Sequence, residues 1–346
     1  MALRPAPHAT ASGGVGRRSL LLGTAAWCAA AAGCARGTGP SAATPPAAGV
    51  RTPAGAAPAS PSAPPARLPA AVPWRPGPGE IEPAAKLAAV RLVEALGTWP
   101  AGRGGPRNAT ARAAALGIPA PLAAKLAAEA GPLTPAADQA VVRVIDAQYG
   151  GLLPDTASVL VPSAQSTRTG SAVREGGTTI DVRLHRTPAG WAVTALHPGR
   201  PGPAAPLGAS ARAVLAQPRI DLPPDSAADV RSGAVHESVL RAMLRLAQTY
   251  RMSVSVVRSG HPLNVFGTSR PSDHPVGRAF DVWAVDGHPV VDPATPRSLV
   301  TAFMRAAAAA GSYNVGGPVR LSGGTRPNQF FSDATHHDHV HIGFAT

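Results

Sequence analysis

The chain has 346 residues, with 32 Lys and Arg against 19 Asp and Glu for a formal charge of +13, and only two cysteines, both before residue 35. The charge is uneven: residues 1–78 carry seven Arg and no acid, residues 79–208 twelve basic and nine acidic side chains, and residues 209–346 thirteen and ten. The excess therefore sits in a leader and a linker and no Lys/Arg stripe interleaved with aromatics exists, so nucleic acid is not an expected partner; the cysteines cannot build a disulfide framework or a cysteine zinc site.

Arg17 and Arg18 precede LLLGTAAWCAAAA, an apolar run shorter than the ~20 residues of a membrane span and followed by small residues and a cysteine. This is the pattern of an export signal, over residues 1–33. Its GRRSLLL start resembles a twin-arginine signal, which delivers a folded protein across a membrane, and AAGC at Ala31 to Cys34 resembles a bacterial lipobox. The resemblance implies that Cys34 becomes the first mature residue and carries a lipid, anchoring the protein to the membrane on its extracytoplasmic side. Cys28, behind the bulky Trp27, would leave with the leader. A plain signal peptide or an uncleaved anchor, with an incidental cysteine, is the other reading.

Residues 34–79 are mostly Ala, Pro, Gly, Ser and Thr and cannot bury enough apolar surface to offset their ordering entropy. They are expected to form a disordered, proline-stiffened tether, with a reach on the order of 100 Å at ~3.1 Å per residue.

Residues 80–206 read as a smaller α+β domain. In IEPAAKLAAVRLVEALGTW, Ile81, Leu87, Val90, Leu92, Val93 and Leu96 recur at helical spacing, and PAPLAAKLAAEAG is a second helix stopped by a glycine. VVRVIDAQYG, ASVLVPSAQ and TTIDVRLHR read as strands, the last forming a hairpin with GWAVTALH across TPAG. Helices before an antiparallel sheet suggest an NTF2-like cone. His185 and His197 lack a partner cluster and are expected at the surface; this domain shows no chemistry of its own, which leaves a packing, positioning or recognition role.

Residues 209–346 carry the chemistry. Residues 232–251 read as an amphipathic helix, MSVSVV as a strand leading into a long loop, AFDVWAV as a strand, and PRSLVTAFMRAAAAAG as a helix stopped at Gly311. Eight of the eleven histidines lie after Val230, four of them within His336 to His341. Imidazole and carboxylate are ligands that zinc prefers, and a catalytic zinc needs only three from the protein. His274 and Asp281 flank a turn for which Gly277 is suited. An Asp inside the apolar run AFDVWAV is costly to bury unless a cation or donors compensate. On a terminal strand, alternation points His339 and His341 to one face while Val340 and Ile342 pack behind. Asp286, His288 and Asp292 lie in a turn-rich stretch and look solvated.

Ser272, His274, Gly277, Ala279 and Asp281 spell SxHxxGxAxD, and His339 and His341 form a closing HxH. This resembles the zinc D-Ala-D-Ala peptidase and hedgehog-type clan, over about the last 140 residues. The resemblance implies an antiparallel sheet with flanking helices and a zinc held by His274, Asp281 and His341, although the same ligands accept manganese or nickel. It further implies peptidoglycan peptides as substrates. In the peptidase branch a Glu three residues before the last zinc histidine is the general base; Asp338 stands there, one methylene shorter, and His339 is the alternative. Family members often carry an SG followed by an aromatic and an Arg. Ser259 and Gly260 match, but His261 and Pro262 follow, which leaves Arg258 and Arg270 as candidates to hold a substrate carboxylate or steady the oxyanion, with a plain surface role as the other reading, and His261 as a supporting loop residue. His336 and His337 either touch substrate or are solvated on the approach loop. Two further expectations stay open: a non-catalytic zinc-containing hedgehog-like module that binds cell-wall components, and a zinc-sequestering histidine cluster.

Overall fold

A computed structural model describes residues 67–346. The leader, Cys34 and the first part of the expected tether lie outside the described residues. Residues 67–79 contain no helix or strand, yet the Trp74 N–H donates to Glu94 Oε1 at 2.7 Å and its ring packs on the neighbouring core. Gly79 approaches the backbone so closely that a Cβ there would lie 1.9 Å from the Val291 carbonyl oxygen.

Three helices follow: α1 (Pro83–Gly97), α2 (Pro106–Ala114) and α3 (Ala120–Glu129), each with proline in its first turn, where an N–H would have no intrahelical partner. Then come β1 (Gln139–Val144), β2 (Gln148–Leu152), β3 (Thr156–Thr169), β4 (Ala172–Thr187) and β5 (Gly190–Pro198). They form an antiparallel sheet ordered β1-β3-β4-β5, with β2 also on β3. The run VVRVIDAQYG, expected as one strand, is thus two. The break falls opposite Pro162, which accepts from Ile145 N–H but has no N–H to return. α1 packs Ala89, Val90, Leu92, Val93 and Leu96 on Val159, Val161, Ile180 and Val182. Leu87 is only half-buried, and its expected place inside is taken by Lys86.

The second lobe contains α4 (Ala209–Ala216), β6 (Ile220–Asp221), α5 (Pro224–Arg231), α6 (Glu237–Leu246), β7 (Met252–Val256), β8 (Ala279–Val285), β9 (His288–Pro289), α7 (Arg297–Ala309), β10 (Asn314–Gly316), β11 (Phe330–Phe331) and β12 (Val340–Gly343). Its sheet runs β11-β10-β12-β8-β7-β6, with β9 on β8. The expected α+β class holds. The sheet is mixed rather than wholly antiparallel, because the two-residue edge strands β6 and β11 join β7 and β10 in parallel. α6 is shorter than the amphipathic pattern: Gly233 at φ 73° and the extended His236 precede it, and turn bonds from Gln248 and Thr249 end it.

Alternation gives this sheet two chemically different faces. Phe280, Val282, Val340 and Ile342 pack with Val239, Met243, Phe303 and Met304 of α6 and α7 in one core. Asp281 and His341, direct partners across β8 and β12, point the other way, toward the first lobe. The two lobes form one compact unit. Among the described residues no helix is long and apolar enough to cross a membrane.

One polar contact between the lobes is pH-sensitive. Asp225 on α5 accepts from Thr178 Oγ1 at 2.9 Å and from Thr179 N–H at 2.8 Å, and burial pushes its carboxyl up to about 6. The folded chain then keeps a proton that the unfolded chain loses near pH 4, so this contribution to stability is present at low pH and lost as pH rises through about 6. Urea unfolding across that window is expected to show a fall in stability that is shallower in Asp225→Asn, which retains the acceptor oxygen and does not ionise.

Candidate metal centre

β8, β12 and the turn before β8 bring three ligand atoms together. His274 Nε2 lies 3.1 Å from His341 Nδ1 and 3.1 Å from Asp281 Oδ1, and His341 Nδ1 lies 3.0 Å from the same oxygen. Each edge of this triangle is close to the ~3.3 Å between ligands of a tetrahedral zinc with ~2.0–2.1 Å bonds. His274 Nδ1 donates to the Val257 carbonyl at 2.8 Å, so its Nε2 lone pair is free. Burial pushes the Asp281 carboxyl up, but His274, His339 and His341 around it hold it well below the usual carboxylate range. Burial lowers His341 to about 4, leaving it neutral and able to donate a lone pair at neutral pH. The donor set fits a cation. Gly277, at φ 73°, closes the turn with its N–H on the His274 carbonyl; a Cβ there would lie 2.0 Å from the Ala234 carbonyl oxygen.

His261 also comes near. One ligand atom from each of His261, His274 and Asp281 lies within 4.8 Å of the others, a group that could hold a metal. The His261 ring, however, stacks on His274 at 4.0 Å and 13°, which sets the in-plane lone pairs of the two rings side by side instead of converging. His341, tilted by 55° to His274, has no such difficulty. We therefore place His341 in the triad and His261 beside it.

His339 and His341 line one cleft of about 710 Å³, together with His274, Asp281, His336, Arg270 and Tyr313. Asp338 sits behind them. Its Oδ1 meets His339 Nδ1 at 2.6 Å, while its Oδ2 receives Lys86 Nζ at 2.6 Å and the Tyr149 N–H at 3.0 Å. Burial opposes its ionisation, but Lys86 and His339 keep it lower than an ordinary Asp; His339 is raised against its burial by Asp281 and Asp338. The group presented to the cleft is the imidazole, with Asp338 as its brace.

Arg258 is not brought to this cleft. It donates from Nε to the Pro275 carbonyl, lies 3.7 Å from Asp229, and lines a neighbouring cavity of about 810 Å³. That larger cavity, whose wall also includes the exposed His185 and His197, lacks the triad and shares His261 and Phe266 with the cleft. His336 is in the cleft, bonded to Asp333 Oδ1 at 2.8 Å, whereas His337 reaches the Gly79 carbonyl at 3.0 Å. Asp286 and His288 are exposed.

The first lobe supplies side chains that the motifs did not reveal. Lys86 is fully buried, paired with Glu80 and Asp338, with its Nζ 5.1 Å from the Tyr149 ring centre. Its signal was visible as a lysine on the buried stripe with Ala89, Val90 and Val93. Gln148 donates from Nε2 to Asp281 Oδ2 at 2.6 Å and accepts from the Ser255 hydroxyl. No local pattern marks it. Nearby, burial pushes Asp146 up to about 7.

Removing Lys86 alone strands buried carboxylates. Lys86→Met is expected to cost about 3–5 kcal/mol in urea unfolding, and Lys86→Met/Asp338→Asn to recover part of that loss, because the second change removes one of the two stranded charges and leaves Glu80.

Protein-family models, curated proteins and solved structures were each compared with the chain, and none matches.

Proposed function

We propose that this protein is a zinc-dependent peptidase that hydrolyses an amide bond of peptidoglycan peptides, its second lobe being hedgehog/DD-peptidase-like and its first lobe NTF2-like. The observation that carries this is the triangle of His274 Nε2, Asp281 Oδ1 and His341 Nδ1, with edges of 3.0–3.1 Å at the floor of a cleft. The motif resemblance supplies the reaction class, and the leader pattern supplies an extracytoplasmic, lipid-anchored location facing the cell wall.

Zinc, when bound, supplies Lewis-acid polarisation of a carbonyl and lowers the pKa of a water toward ~7. His339 takes a proton at Nε2 from the attacking water and returns it to the leaving amine. Asp338 Oδ1 accepts the Nδ1–H of the same ring, which fixes the tautomer and steadies the imidazolium. Arg270, on the cleft wall, offers paired donors to a peptide carboxylate.

One observation favours the second reading, a non-catalytic zinc-containing module that binds cell-wall components: both oxygens of Asp338, at the family's base position, are already engaged. Mass spectrometry of fragments released from purified peptidoglycan by the zinc-loaded full chain separates the two. New peptide termini are expected with wild type, with rates lower by about 10²–10⁴-fold in His339→Ala and release abolished in His341→Ala. Zinc binding without any release by wild type would replace the peptidase with the binding module.

A further inference from the structure

Asp281 has two oxygens and one of them belongs to the triad. Its Oδ1 faces His274 and His341; its Oδ2 receives Gln148 Nε2 at 2.6 Å and lies 3.7 Å from His339 Nε2. A free carboxylate can rotate to offer either oxygen, or both, to a cation. Here the amide holds Oδ2 aside, so that Oδ1 alone converges with the imidazoles.

Gln148 is itself held. It is completely buried; the Asp281 carboxylate only accepts, which settles that the NH2 end of the amide faces it, and the Ser255 hydroxyl donates to Oε1 at the other end. A reversed amide would set oxygen against oxygen. β2 shifts register against β3 between Tyr149 and Gly151, one residue beyond Gln148; irregularities of this kind re-aim side chains beside functional sites. The donor is neutral as well, so it orients Asp281 without cancelling the charge that attracts a cation.

We propose that Gln148 is a positioning residue of the metal centre: through this one amide the first lobe holds Asp281 as a single-oxygen ligand and sets the protein's affinity for metal. The proposal rests on the zinc reading given above and adds that the lobe without motifs is a working part of the site.

The test is zinc affinity of the full chain, measured by competition with a chromophoric chelator, in wild type, Gln148→Met, Ser255→Ala, Thr178→Val and His341→Ala. Methionine keeps the length of glutamine and removes its donors. Gln148→Met is expected to bind zinc about 10–100-fold more weakly, the usual effect of losing an outer partner of a ligand. Ser255→Ala, which loosens the amide and also removes a 3.3 Å contact to the Asp281 carbonyl, is expected to lose several-fold, and it carries the test if Gln148→Met does not fold. Thr178→Val breaks a polar contact between the same lobes outside the cleft and is expected to bind like wild type. Wild-type affinity in both Gln148→Met and Ser255→Ala, or an equal loss in Thr178→Val, would overturn the proposal and reduce the contact to packing. Wild type binding zinc no better than His341→Ala would overturn the zinc reading itself, and this proposal with it.

Discussion

A carboxylate sealed inside a sheet must be compensated, and Asp281 is 1% exposed on a central strand. Leaving it ionised without partners would cost more than most single contacts in a protein can return. The structure answers with converging groups: His274 and His341 on one oxygen, Gln148 on the other, and His339 close by. Three features of the second lobe bear on that convergence. The turn through Gly277 delivers His274, the β8–β12 register delivers His341, and the loop after β7 lays His261 flat against His274.

The same constraint bears on how the two lobes meet. The β8–β12 sheet covers its apolar face with α6 and α7, while the face carrying Asp281 and His341 meets the first lobe through Gln148. The first lobe meets that face with polar groups. Lys86 and the Tyr149 N–H take one oxygen of Asp338, and the other takes His339. Thus a lysine on α1 bears on the orientation of an imidazole in the cleft through a single intervening carboxylate. Such buried networks hold a unique arrangement only when every member is satisfied, which is why the loss of one partner is felt by the rest.

Legibility in the sequence followed the range of the interactions. β8, β12 and the shared face of His339 and His341 could be read because alternation is local and an Asp in an apolar strand stands out. The role of Gly277 could be read because it lies between two candidate ligands. Lys86 was not read, since placing the buried stripe of α1 on Leu87 instead is a one-residue rotation that an alanine-rich helix hardly opposes. Gln148 was not legible at all: its partners lie 107 and 133 positions away. The helices α4 and α5 and the strand β6 are too short for periodicity to announce them, and the split of β1 from β2 depends on Pro162 in another strand.

The distance in sequence across this cleft has a consequence for how the chain comes to be folded. Each lobe has its own apolar core, built largely from contacts within that lobe, whereas the polar groups of the centre meet across spans such as the 133 residues from Gln148 to Asp281 and the 189 from Tyr149 to Asp338. Closing such spans costs chain entropy before any reward is collected, so contacts of this kind form late. The Asp281 carboxylate and Gln148 meet only where the two lobes adjoin. The geometry of this cleft is therefore a property of the two-lobed fold and not of either lobe alone.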